Sequence, residues 1–231
     1  MNSDKQLIRQ YAVDRSEAAF SELVRQHIKM VYAAALRQVN GDSHLAEDVA
    51  QTVFTDLARK SGNLLHNDSI AGWLYTSTRF AAANAVRAEV RRRAREQAAV
   101  SLNEDKMNTN PDWNELRPMI DEALAELGET DREAIVLRFF EANEFSLVGN
   151  ALGISENAAR MRVERALDKL RAVLHKRGLA TTGAALAGVL PASTFGAMPE
   201  HLATHVTHAA LVHSAAAAAT GTTTSILAKD I

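Results

Sequence analysis

SENAARMRVERALDKLRAVLHKR, residues 155–177, is the stretch whose reading decides the fold. Its apolar positions Ala159, Val163, Ala166, Leu167, Leu170, Val173 and Leu174 recur every three or four residues, which is one buried helical stripe. Ser155 stands where an N-cap belongs, directly after a Gly153–Ile154 corner. Seven Lys and Arg residues face three acids in this stretch, a net charge of +4. Asn157, Arg160, Glu164 and Arg165 in its first turns are residue types that read base edges or hold phosphates. Immediately upstream, FSLVGNAL (145–152) fits a short helix and Leu152-Gly153-Ile154 a turn. Helix, glycine-containing turn and basic helix together form a helix-turn-helix pattern. A plain αα-corner in a bundle has the same pattern, so the stretch needs support from elsewhere.

That support is a second basic helix. Arg87, Arg91, Arg92, Arg93 and Arg95 stand against the single acid Glu89, net +4 over nine residues. Each Lys or Arg set on a phosphate releases a condensed counterion, so so dense a run reads as a nucleic-acid patch, with a solvated helix end as the plainer alternative. The whole chain carries 26 Lys and Arg against 28 Asp and Glu, net −2, so such binding must come from local patches. Four prolines, no alternating apolar pattern and 47% hydrophobic residues rich in alanine point to an all-α fold. With no cysteine there is no disulfide framework, thiolate nucleophile or cysteine-bound zinc, which fits a reducing cytosol. The start MNSDKQLIRQ does not read as a signal peptide.

Taken in order, Ser16 can cap a helix reaching about Val39, with Phe20, Leu23, Val24, His27, Ile28, Val31 and Tyr32 inside. His27 reads as a hydrogen-bonded core histidine. Asn40-Gly41-Asp42 breaks the helix, and the next begins at Ser43 or His44, with Leu45, Val49, Val53 and Leu57 inside and Glu47, Asp48, Gln51, Thr52, Thr55 and Asp56 outside. That acidic face is either simply solvated or a docking surface for a basic partner. Residues 62–68 form a polar loop. Asp68 or Ser69 then starts a long helix with Ile70, Trp73, Leu74, Ser77, Ala81, Ala85 and Ala88 inward. Residues 101–112 lack periodicity and read as a linker. A helix over 113–127 should end at Gly128 as its C′ residue, and Thr130 with Glu133 should form a capping box for the next.

AFSELVRQHIKMVYAAALRQVNGDSHLAEDVAQTVFTDLARK with GWLYTSTRFAAANAVRAEVRRR resembles domain two of bacterial sigma factors of the extracytoplasmic-function group. EALAELGETDREAIVLRFFEANEFSLVGNALGISENAARMRVERALDKLR resembles their domain four. The resemblance covers about residues 10–178. It implies a division into 1–96 (core binding, downstream promoter element, melting), a 97–112 linker, 113–178 (upstream element) and a 179–231 extension. The implied partners are core RNA polymerase and promoter DNA, both duplex and melted strand, and an anti-sigma factor is admitted as a further one. Glu47, Asp48, Gln51 and Phe54 would dock on the polymerase, and the 62–68 loop would hold a flipped base. Asn84, Arg87 and Arg91 would contact the downstream element, with Arg92 and Arg93 in the same basic run. Asn157 and Arg160 would read bases, while Arg162 and Arg165 favour phosphate. The chain departs from the family where Phe80 and Asn84 replace an Asn and an acid, where Asn157-Ala158-Ala159 replaces Gly-Thr-Val, and where Leu147-Val148-Gly149 replaces Glu-Ile-Ala. These departures bear on promoter preference. Trp73 is either a melting wedge or core.

From Leu179 to Ala228 the one formal charge is Glu200, and Ala, Thr, Gly and His dominate. Weakly helical sequence, a regulatory segment folded back on either domain, and membrane association are the readings, in falling order. His201, His205, His208 and His213 include i, i+4 spacing, but beyond Glu200 no acid or cysteine completes a shell, so no metal and no cofactor is expected. No nucleophile–base pair or phosphate loop points to an enzyme. The expected location is the cytoplasm. The competing functions are a stand-alone helix-turn-helix regulator and a helical signalling or scaffold protein acting through its tail.

Overall fold

The computed structural model describes residues 3–67, 69–99, 111–179, 181–182, 186, 190 and 198–226, with backbone alone over 93–99, 111–118 and 215–226. Every regular element among the described residues is helical. Helix α1 spans Asp4–Asp14, α2 Glu17–Gln38, α3 Ser43–Lys60 and α4 Ala71–Ala99, with a 3-10 turn at Ser61–Leu64. Helix α5 spans Pro111–Glu126, α6 Glu129–Ile135, α7 Phe145–Ala151, α8 Glu156–Lys176 and α9 Leu202–Ile226. The polar loop expected at 62–68 is thus partly helical, and Asp68, Val100–Asn110 and much of 180–197 lie outside the described residues.

The sequence sets most helix ends through side-chain caps. Ser16 accepts from the Ala19 amide at 3.3 Å, and Asp42 from the Leu45 amide at 3.0 Å. Between those helices Asn40 (φ 56°) and Gly41 (φ 83°) are both left-handed, which reverses the chain within three residues. α1 comes from the segment read only as a polar start. Ser3 and Gln6 make a reciprocal capping box, and Leu7, Ile8 and Tyr11 are buried.

α1 to α4 share one core. Phe20, Leu23, Val24, Phe54, Leu57 and Leu74 have no measurable exposure; each such side chain is worth about 1.5–3 kcal/mol of burial. Phe54 is therefore a core residue here and cannot offer its ring to a partner's surface in this conformation. α4 is also rotated from the expected face: Tyr75, Thr78 and Ala82 are buried, whereas Trp73, Ser77, Ala81 and Ala85 are half-buried and Ala88 is exposed. The reason is polar. Tyr75 turns inward to reach Arg37 and Asp121.

α5 to α8 form a second unit, which closes on the first. Arg37 of α2 grips Asp121 of α5 by two bonds, Nη2–Oδ1 at 2.6 Å and Nε–Oδ2 at 3.2 Å. Tyr75 donates to the same Oδ1 at 2.6 Å, and Phe140 lies 4.5 Å under the guanidinium. A second cluster sets His27 of α2 between Glu141 (Nδ1, 2.6 Å) and Asp4 of α1 (Nε2, 3.0 Å). Burial pushes the imidazole pKa down, but the two carboxylates outweigh it and hold the group well above 6.5, so both ring nitrogens donate. Gly72 lets α4 approach α6: a Cβ there would stand 3.2 Å from that of Glu133.

The junction before α6 differs from the expected one. Gly128 has φ −56° and is the N-cap of α6, not a left-handed C′ residue, and no side chain caps that end. Thr130 lies inside the helix. Glu133 is instead drawn to the seam beside Ser69, where burial raises its pKa to about 7 against a weaker lowering by the Ser69 hydrogen bond.

Candidate nucleic-acid interface

The helix-turn-helix is built as the sequence demands. Gly153 takes φ 64° in the turn, and the Ile154 amide returns to the Gly149 carbonyl at 2.9 Å. That return leaves no room on α7: a Cβ at position 149 would stand 2.8 Å from the Ile154 carbonyl oxygen, so glycine is required by the close approach. Ser155 caps α8 by accepting from the Ala158 amide at 3.3 Å. Ala159, Val163, Ala166, Leu170 and Leu174 are buried, and Leu167 and Val173 half-buried, which is the stripe expected.

On the outer face of α8, Asn157, Arg160 and Arg165 are exposed and Arg162 is half-buried. Arg160 rests over the Phe145 ring at 4.9 Å, with Arg138 over the same ring at 4.8 Å, and lies 3.7 Å from Glu156. Arg162, Arg165 and Lys169 line a shallow recess with Gly128, Thr130 and Asp131. Lys169 holds Asp131 at 2.5 Å, which leaves the two arginines to carry the recess's positive field.

On α4, Asn84 and Arg87 are exposed and bonded to each other, Nη2 to Oδ1 at 2.6 Å. Arg91 and Arg92 are exposed as well, Arg92 pairing with Glu89 at 2.9 Å. The Arg93 side chain lies outside the described residues. Sequence reasoning passed over Phe80 as a site residue. Its ring is 63% exposed, and at i, i+4, i+7 and i+11 the residues Phe80, Asn84, Arg87 and Arg91 line one face. An aromatic four residues before a polar–basic run was the available signal. An exposed ring beside arginines is a platform on which an unpaired base can stack.

On α3, Asp48 is exposed, while Glu47 and Gln51 are half-buried. The tail histidines 201, 205, 208 and 213 are exposed, and among the described residues no group of three His, Cys, Asp or Glu is placed to hold a metal. No described helix is long and apolar enough to cross a membrane.

Two family matches fall on these two faces. Sigma-70 region 2 matches residues 23–92, which carries α3 and the α4 face, and sigma-70 region 4 matches 123–172, which carries the helix-turn-helix. The RNA polymerase sigma factor CarQ of Myxococcus xanthus is 32% identical over 164 residues, 70% of this chain and 92% of that protein. The ECF RNA polymerase sigma factor SigE of Mycolicibacterium smegmatis is 31% identical over 175 residues, 72% of this chain and 66% of that one. Two solved structures are similar at lower identity. CnrH in complex with the cytosolic domain of CnrY is 23% identical, covering 76% of this chain and 99% of that one, with a TM-score of 0.36. The sigma factor RpoE with the anti-sigma factor NepR from Bartonella quintana is 19% identical, covering 65% and 94%, with a TM-score of 0.30. The chain belongs to the sigma-70 family of RNA polymerase sigma factors, in the extracytoplasmic-function group, and as such binds core RNA polymerase and directs promoter-specific initiation.

Proposed function

We propose that the family's work is divided in this chain between residues 1–96 and 113–178, with 97–112 between them. Asp48, with Glu47 and Gln51 beside it on α3, docks on core polymerase. The α4 face takes the melted strand: Phe80 stacks a base, Asn84 and Arg87 contact the downstream element, and Arg91, Arg92 and Arg93 hold its phosphates. α8 enters the major groove of the upstream element, Asn157 and Arg160 reading base edges and Arg162 and Arg165 seated on phosphate. The observation that carries this reading is the stripe Phe80, Asn84, Arg87 and Arg91, an aromatic–polar–basic face on a different helix from the helix-turn-helix.

The chemistry is strand separation rather than bond making. Stacking resists opening by about 1.4 kcal/mol per step, and a surface that prefers the single strand lowers that cost. Nucleotide transfer belongs to the polymerase, so the chain itself is not an enzyme, and it acts in the cytoplasm where polymerase and promoter meet. An anti-sigma factor is a further partner in this reading.

The test is run-off transcription with core polymerase on a promoter library. Discrete start sites that vanish in Arg160→Ala and in the triple Arg91, Arg92, Arg93→Ala variant are expected. Phe80→Ala should retain closed-complex binding and lose open-complex formation by about tenfold, the worth of one stacked base at about 1–3 kcal/mol. Duplex binding without core and without any transcript would favour a stand-alone regulator instead.

A further inference from the structure

α9 has no task in the reading above, and its position assigns one. It lies along α2 and α3, and its contact with α3 is the most extensive between any two described helices. Leu202, Val206 and Ala210 are buried, one stripe at i, i+4 and i+8. Farther along, Ser214 shares a hydrogen bond with the Tyr11 hydroxyl of α1 at 3.4 Å. His201, Thr204, His205, His208 and Val212 face solvent on the other side.

α3 is correspondingly enclosed. A surface helix buries one stripe against its core. In α3 the buried set runs from Val49 through Val53, Ala46, Leu57, Ala50 and Phe54 to Ala58, about half the circumference at 3.6 residues per turn. Glu47 is half-buried inside that arc and Gln51, Thr55 and Asp56 beyond it, so in the body of the helix little besides Asp48 and Thr52 is left open on the proposed docking side.

We propose that α9 is a resident cover on α3, an internal competitor that core polymerase must displace before the sigma factor docks. The proposal rests on the reading of α3 as the docking helix. Two features make the cover displaceable. From Leu202 to Ile226 there is no Asp, Glu, Lys or Arg, so α9 brings no fixed cation to Glu47 and Asp48. A polymerase surface carrying Lys or Arg satisfies those carboxylates and gains what the cover does not. The buried stripe is also sparse, with Leu202 and Val206 its fully buried large side chains among the described ones and Leu211 half-buried beside them. Such a helix holds its place because it is tethered. The chain that leads to it helps hold it there, since Leu186 and Leu190 are buried in the same core. A free helix of this composition would compete poorly. Occupancy of the cover thus sets the fraction of chains ready for polymerase, and apparent affinity falls by that fraction.

The test uses the full chain and fluorescence-detected binding to core RNA polymerase. Val206→Asp and Ala210→Glu place charge on the buried stripe and should each tighten binding about tenfold, as expected if roughly a tenth of the wild-type chains are uncovered. Val212→Asp, on the exposed side of the same helix, should leave affinity within about twofold of wild type on the same occupancy argument. Hydrogen exchange should show the 202–214 amides losing protection in the first two variants while α2 keeps its own. A double Val206→Asp, Ala210→Glu chain whose α9 stays protected would show that the stripe does not hold the helix and would overturn the proposal. So would released variants that bind core no better than wild type while Asp48→Arg weakens binding, since docking by α3 would then stand without a cover. If Asp48→Arg changes nothing even in the Val206→Asp background, the docking reading itself fails, and the cover with it.

Discussion

The seam between the two helical units and the contact of α9 on α3 close the same molecule by opposite chemistry. The seam is ionic and buried: Arg37 with Asp121 and Tyr75, and His27 between Asp4 and Glu141. The α9 contact is extensive but apolar and built largely of small side chains, and the one described side-chain hydrogen bond that ties α9 down runs to Tyr11 of α1. Buried ion pairs gain little over an apolar replacement, yet they tolerate no loss of a partner. The seam therefore specifies one relative placement of the units and resists sliding. A sparse apolar stripe specifies less and lets go more easily.

The contrast is broken most severely at Asp121. Asp121→Ala strands the Arg37 guanidinium in the seam and should lower stability by about 3–5 kcal/mol in urea titration, far more than any single change on the α9 stripe. A loss under about 1 kcal/mol would mean that water reaches Arg37 and screens its pairing.

Glu133 sharpens the comparison from the other side. Its pKa is raised from 4.5 to about 7, so ionisation costs stability as pH climbs through that window, and the cost is complete above it. Glu133→Gln should accordingly stabilise the chain at pH 8 by about 2–3 kcal/mol at most, and change little at pH 4. Equal effects at both pH values would show that the carboxyl is solvated.

His27 gives the smallest and most graded effect. Its folded pKa lies well above 6.5, so its contribution is fully present below 6.5 and is lost as pH rises through the raised value. Asp4 is depressed in the fold, despite its burial, by the His27 charge and hydrogen bonds, and its share is lost only in acid. The free energy of unfolding, read by urea titration at stepped pH, should fall on the alkaline side by no more than about 1.4 kcal/mol per pH unit from this group. His27→Gln should flatten that limb. A limb that survives His27→Gln would assign the slope to another group.

Much of the fold was legible where the signal is local. The period and cap of α2, the break at Asn40–Asp42 and the whole run from Phe145 to Arg177 follow from residues within a few positions of each other. The seam was not legible, because it pairs residues far apart in the chain: 84 positions separate Arg37 from Asp121, and 114 separate His27 from Glu141. Ignorance of the seam also produced the misread face of α4, where Tyr75 points inward for a polar partner that no helical period reveals, and the misread cap at Thr130. Of the site, the exposed polar and basic residues could be named from sequence, but the burial of Phe54 and the exposure of Phe80 depend on which way each helix is turned. The tail offered one usable sign, Leu202, Val206 and Ala210 at helical spacing, against a background of alanine that hides periodicity.

The length of chain between α3 and its cover carries a temporal consequence. α3 is finished at Lys60, whereas the residue that ties α9 to α1 is Ser214. At about 5–20 residues per second, a ribosome needs roughly 8–30 s to add the intervening stretch. A newborn chain therefore has its α1–α4 core before it has anything to lay over it. On the docking reading, each copy passes through one unguarded interval at birth, and polymerase that meets it then has no cover to remove.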